Sequence, residues 1–207
     1  MARIALGSFL DFVRSGPQDS VRLVRRQRAM YLGSGGQAWA FYQPFRSGVR
    51  RAISAPDPEA VLTAVVDKAG PKQRSHFQEL RRGMCAWLSR TKATGVQVES
   101  CSWWHDELEV TLSKRSLLGL RHSSGAVELV LPYLKEPELS TQDAAPVLRI
   151  LQLGRDRVLP CATPVVLDVR RARSHRLRAN TNEDDLDTFI AGEVSKYLTY
   201  WQAAEAA

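Results

Sequence analysis

The segment AVELVLPYL, residues 126–134, constrains this chain more than any other stretch. Six of its first eight residues are apolar, and the run stops at Lys135, with Glu136 and Glu138 close behind. Rich in Val and Leu, it reads as a strand buried along its length. The next segment, STQDAAPVLRILQL, reads as a helix with Ser140 as N-cap and Asp143 at the third helical position, a capping-box arrangement. Pro146 falls inside that pattern and is expected to kink the helix or mark its true start. Residues 126–134 are therefore read as the central strand of the fold.

The elements around it follow from periodicity. From Asp57 a helix is signalled by Pro58 at its first position and by Val61, Leu62, Val65 and Val66 on one face, with Gly70 and Pro71 as its stop. In KQRSHFQELRRGMCAWLSRT, Phe77, Leu80, Met84, Trp87 and Leu88 form a core stripe at helical spacing, leaving Lys72, Arg74, Arg81, Arg82 and Arg90 outward. The pattern changes at Gly95. VQVESCSW, ELEVTL, SLLGLR and AVELVLPYL read together as an antiparallel meander. TPVVLDVRRARSHRL is a further strand or hairpin, and a closing helix begins at Asn182, whose acidic followers Glu183, Asp184, Asp185 and Asp187 suit a helix N-terminus rather than a metal cluster. The expectation is an α+β or α/β fold: helix, strand meander, crossover helix, further strands and C-terminal helix.

Charge is distributed unevenly. Residues 1–95 hold 16 Lys or Arg against 6 Asp or Glu, a net of +10, whereas residues 96–207 hold 13 against 16, a net of −3. Such asymmetry points to a polyanionic partner, because clustered cations displace counterions from a phosphate backbone. The division drawn here is a basic, helical and aromatic N-terminal segment at 1–50 and a core at 51–207. Its first 30 residues read as two short helices separated by Ser15, Gly16 and Pro17, with Asp19 or Ser20 as N-cap of the second. In that second helix Arg22, Arg25 and Arg26 cluster beside Val21 and Val24, which suits phosphate contact or a solvated face over a packed one.

GSGGQAWAFYQPF supplies a glycine-rich loop (Gly33, Ser34, Gly35, Gly36) without the Lys-Ser/Thr of a phosphate-binding loop. The aromatics Trp39, Phe41, Tyr42 and Phe45 are expected to anchor this segment to the main body. The apolar run from Ile4 to Leu10 is broken by Asp11, unlike a signal peptide, and no segment reaches the roughly 18 apolar residues of a membrane span. Cys85, Cys101 and Cys161 are an odd number at wide spacing, indicating neither a disulfide framework nor a metal clip. A cytoplasmic, reducing setting is expected.

The order of elements, with a strand ending in lysine, resembles the core of the restriction-endonuclease-like, or PD-(D/E)XK, nuclease superfamily over roughly residues 72–170. The resemblance implies a nuclease-like core domain at 51–207, an acidic pair holding a divalent cation, and a lysine that polarises the attacked phosphate. Mg²⁺ wants carboxylate oxygens and activates a bound water. Lys135 matches the motif lysine. Tyr133 replaces the acid two residues before it, and the second acid position falls near Leu120, Arg121 and His122. Glu128 lies about 23 Å from Lys135 along an extended strand, and Glu136 points to the opposite face. Glu107 and Glu109 share a face, and either could join Glu79 from the preceding helix. The candidate catalytic set is thus Lys135, Glu109 and Glu79, with no cofactor unless Mg²⁺ for an active nuclease.

His105 and Asp106, beside Trp103 and Trp104, read as a turn tip whose adjacent side chains diverge, and His76, His122 and His175 lack zinc spacing. The run Arg170, Arg171, Arg173, His175, Arg176 and Arg178 reads as an exposed β-ribbon with Arg171, Arg173 and His175 on one side, a surface that could track phosphates. Three functions stay open at this point. The first is non-specific binding of DNA or RNA backbone on a catalytically inactive nuclease-like scaffold within a DNA-processing or defence system, through Arg22, Arg25, Arg26, Arg81, Arg82, Arg171 and Arg173. The second is a protein-interaction or self-associating subunit. The third is an active Mg²⁺-dependent nuclease.

Overall fold

A computed structural model describes residues 1–33 and 40–205 of the chain. Ser34, Gly35 and Gly36 of the glycine-rich loop, and Trp39 of the aromatic cluster, lie outside the described residues. The fold is α+β. In chain order the elements are β1 (Ala2–Ala5), α1 (Leu6–Val13), α2 (Pro17–Tyr31), α3 (Gln43–Ala52), α4 (Pro58–Asp67), α5 (Pro71–Thr91), β2 (Ala93–Val96), β3 (Cys101–His105), β4 (Leu108–Leu112), β5 (Leu118–His122), β6 (Val127–Tyr133), α6 (Thr141–Val158), β7 (Thr163–Asp168), β8 (Arg173–His175) and α7 (Glu183–Ala203).

The strand read from AVELVLPYL is the centre of a five-stranded sheet of order β2-β5-β6-β7-β8. β2, β5 and β6 run antiparallel, β6 and β7 run parallel through the crossover helix α6, and β8 returns antiparallel. The apolar run is continuous because both faces of β6 are covered. Leu129 and Leu131 enter one core with α1, α6 and α7, whereas Val130 enters a second core with α3, α4 and α5. Each such side chain contributes roughly 1.5–3 kcal/mol on full burial.

The local signals at helix ends are realised in three places. Ser140 accepts from Asp143 N–H at 3.0 Å while Asp143 accepts from Ser140 N–H, closing the capping box of α6. The start of that helix is therefore Ser140, and it continues through Pro146. Asp57 caps α4 through Ala60 N–H, and Asn182 caps α7 through Asp184 and Asp185 N–H. Neither Asp19 nor Ser20 caps α2, which begins at Pro17 after Gly16.

Two expectations about organisation are corrected. The four strand segments do not form one meander: β3 and β4 leave as a hairpin and join β1 in a separate three-stranded sheet of order β1-β4-β3, with β1 parallel to β4. Alternation fixes which face a strand buries but not which neighbour it takes, and β1 was hidden in a segment that reads as helix. Nor are residues 1–50 an appendage. Ala2, Ile4, Phe9 and Phe12 belong to the first core, and Phe45 and Val49 belong to the second. Phe45 packs on Phe77 at 5.4 Å between ring centres and Phe41 meets Phe77 edge-on, so these aromatics do fasten the segment to α5.

Close approach of α5 to the sheet is set by Gly83, where a Cβ would fall 1.8 Å from the carbonyl oxygen of Val169 just past β7. No helix among the described residues is long and apolar enough to cross a membrane. The three cysteines are free thiols.

Candidate nucleic-acid interface

α2 is amphipathic because of what its inward face binds. Ser20, Val24 and Gln27 are buried at helical spacing. The Gln27 amide donates to Ser8 O at 3.0 Å and accepts from the Tyr197 hydroxyl at 2.9 Å, linking α2 to α1 and α7. Burial pushes the Tyr197 phenol far above its ordinary range, so it stays a donor. At the far end of α2, Tyr31 accepts from Ala5 N–H at 2.8 Å and shares a hydrogen bond with the Ser8 hydroxyl. Hydrogen bonds one turn apart thus fasten the C-terminal half of the helix, and burial of Ser20 and Val24 seats the rest.

Its opposite face carries Arg22, Arg25 and Arg26, all exposed and all without an acidic partner among the described residues. Three and four residues apart, they stand as neighbours on one surface. Arg28, one turn on, is used internally: it pairs with Glu205 at 3.4 Å and lies over the Trp201 ring.

The other arginines expected to meet phosphate are mostly committed elsewhere. Arg81 donates to Glu59 at 2.9 Å and Arg173 to Glu138 at 2.8 Å. Arg171 donates to the buried Asp168 at 3.2 Å and to Glu136 O at 2.9 Å. Only Arg82 of that group is exposed and unpaired among the described residues, on the wall of a cavity of about 530 Å³ between α5 and the turn after β7. The arginine run is not a free β-ribbon. Arg170, Arg171 and Ala172 form a turn with Ala172 at φ 49°, β8 is three residues long, and His175 is buried against Thr141 at 3.2 Å. Arg170 donates to Glu79 and His76, and Arg176 to Glu128 at 2.5 Å. Carboxylates thus neutralise Arg170, Arg171, Arg173 and Arg176 of the run, leaving Arg178 exposed.

The candidate catalytic set does not assemble. Lys135 pairs with Asp11 of α1 at 2.5 Å, Glu79 pairs with Arg170, and Glu109 lies in the three-stranded sheet, bonded to Ser102 at 2.5 Å and Arg3 at 3.3 Å. The resemblance places the motif lysine on the five-stranded sheet, whereas β4, which carries Glu109, belongs to the other sheet. Tyr133, at the position of the motif acid, accepts from Arg14 at 2.5 Å and donates to Pro137 O at 2.9 Å. Burial, opposed by Arg14, leaves its phenol pushed up to about 12. Asp11 is the one carboxylate within 4.0 Å of Lys135 among the described residues, and no three His, Cys, Asp or Glu side chains gather there or elsewhere among them. A hard divalent cation needs several convergent oxygens. These residues do not fit one.

Sequence reasoning passed over Asp168 and Asp11. Asp168 ends the apolar strand VVLD, is fully buried, and accepts from the N–H groups of Leu139 and Arg171, so it fastens both loops at the end of the parallel pair β6 and β7. A carboxylate closing an apolar strand was the available signal. His105 and Asp106 do adjoin, at 3.9 Å, because Asp106 turns out of the strand at φ 49°. Compared with protein-family models, with curated proteins and with solved structures, the chain matches none.

Proposed function

We propose that this chain binds nucleic acid through the phosphate backbone, without sequence preference, on a nuclease-like scaffold that does not cut, as a cytoplasmic component of a DNA-processing or defence system. The observation that carries the reading is the contrast among arginines. Arg149, Arg170, Arg171, Arg173 and Arg176 are all matched to carboxylates inside the protein, whereas Arg22, Arg25 and Arg26 stand together, exposed and unmatched, on a helix anchored from behind. Guanidiniums held on an anchored helix are pre-organised for phosphate oxygens, and contacts to phosphate carry no sequence information. The nuclease-like part of the reading is supported by the five-stranded sheet, in which α5 is followed by the antiparallel strands β2, β5 and β6, interrupted by the β3–β4 hairpin, and then by the crossover helix α6 and the parallel strand β7. The absence of cutting is supported by Tyr133 in the acid's place and by Lys135 being neutralised by Asp11.

Fluorescence anisotropy with a labelled DNA duplex and a single strand of unrelated sequence tests this. Affinity should be alike for unrelated sequences and should fall linearly on a logarithmic salt scale, with a slope near 0.9 for each phosphate neutralised on duplex. Salt-independent binding, or none at low salt, refutes it.

A further inference from the structure

The sheet edges are not all blocked. β2 is covered where Gly95 N–H donates to Ile53 O at 3.3 Å, β8 has three residues and carries Arg173, and β1 carries the exposed Arg3. β3 differs. It is the outer strand of the three-stranded sheet, its sequence CSWWH contains no Lys, Arg or Pro, and among the described residues no backbone group outside β4 bonds to it. Charge, proline and brevity are the usual means of keeping an edge from pairing, and an edge without them offers unpaired N–H and C=O groups to another strand.

The side chains of β3 divide by face. Cys101 lies against Gly154 of α6 and Trp103 is partly buried on the first core, whereas Ser102 and Trp104 face outward, with Trp104 52% exposed. Around them charges of both signs stand in pairs, Arg3 with Glu109, the N-terminal amine with Glu107 and Lys114 with Glu99, and Asp106 adjoins His105 at the end of the strand. In a chain of net charge +7, this surface holds the two signs in near balance and carries none of the basic excess that would drive two copies apart. A foreign peptide adding to an edge takes its specificity from side-chain pockets beside the strand. Neither the 530 Å³ cavity at α5 nor a 300 Å³ cavity beside residues 176–183 is lined by a residue of β3.

We propose that β3 pairs with β3 of a second copy of this chain, antiparallel about a two-fold axis near Trp103. Ser102 of each copy then faces Trp104 of the other, and the two three-stranded sheets become one of six strands. The arrangement is self-complementary, as a two-fold interface requires. It is independent of nucleic-acid binding, since the arginines of α2 take no part.

Sedimentation velocity of the full chain between about 1 and about 100 μM, without nucleic acid, brackets a contact of this size. The expected result is a monomer–dimer equilibrium, with amides of residues 101–105 exchanging more slowly as concentration rises. Trp104→Lys puts an ammonium opposite Ser102 of the other copy and diagonally beside its own counterpart across the axis, on a side chain exposed enough to leave folding intact. It should weaken dimerisation at least about tenfold at unchanged circular dichroism. A monomer throughout the range overturns the proposal. So does a dimer that Trp104→Lys leaves intact, or one whose formation leaves the exchange of residues 101–105 unchanged. Protection of β3 that appears only with added DNA also overturns it.

Discussion

Tyr133 and Asp168 stand opposite each other in register at the ends of the parallel strands β6 and β7, and each is buried and bound to the loops that follow. The phenol holds Pro137 O and receives Arg14, while the carboxylate holds Leu139 N–H and Arg171. The carboxyl-terminal edge of such a parallel pair is where open sheets commonly place a ligand. Here its polar groups are spent on tying α1, α6 and the β7–β8 turn together.

Arg22, Arg25 and Arg26 changed together to Ala should lower the salt slope of duplex binding by about 2.7 and weaken binding alike for every sequence tested. Thermal unfolding should move little, because these side chains are exposed and unpaired. Arg171→Ala should behave oppositely, lowering stability more than affinity. Equal effects of the two variants on affinity would contradict the assignment.

Incubation of purified protein with plasmid and linear DNA in Mg²⁺ or Mn²⁺ should yield no cleavage, and Lys135→Ala should leave that result unchanged. Cutting that disappears in Lys135→Ala would restore the catalytic reading of this strand end.

Asp168→Ala removes the acceptor of the buried Leu139 N–H and one acceptor of the half-exposed Arg171 guanidinium. The expected cost is about 2–3 kcal/mol, that of leaving a buried donor unsatisfied, since Arg171 itself reaches solvent. For a chain of this size that corresponds to a melting temperature lower by roughly 4–12 °C. A shift of a degree or two by calorimetry would show that the carboxylate is dispensable.

Gly83→Ala should be among the most harmful single-methyl changes, because the new carbon meets the backbone oxygen of Val169 rather than a movable side chain. A loss of about 3 kcal/mol or more is expected, measured by urea unfolding.

Acid should destabilise the fold in two steps. Burial and the nearby Arg173 lower the His175 pKa, so its contribution is complete above the unfolded value of 6.5 and is lost as pH falls below that toward the folded value. Hydrogen bonding from Arg149 lowers the Asp187 pKa, so its contribution is complete above 3.8 and is lost as pH falls through the folded value. The urea midpoint should therefore drop on going from pH 7 to pH 5, and His175→Asn should flatten that first drop. A midpoint that rises on acidification would reverse the sign.

Periodicity made much of the framework readable. The stripe from Phe77 to Trp87, the capping box at Ser140, the Asn182 cap and the apolar length of β6 are local properties, each satisfied by residues within a few positions. β1 escaped notice because four residues of ARIA carry no strand pattern of their own and become a strand only by pairing with β4, more than a hundred residues later. The arginines show the same limit. Their positions were plain, but whether each is free depends on a carboxylate that comes from elsewhere, as Glu138 does for Arg173 and Glu79 for Arg170.

By itself, then, the sequence determined most of the helices, the central strand and the basic face of α2, because these rest on spacing and on backbone groups satisfied locally. The tertiary structure alone decided that the strands divide between two sheets, that Lys135 faces Asp11 rather than a pair of acids, and that Arg22, Arg25 and Arg26 remain unmatched. Ion pairing and strand partnership join residues far apart in the chain, and Coulomb attraction and hydrogen bonding act over a few ångströms that only folding brings about.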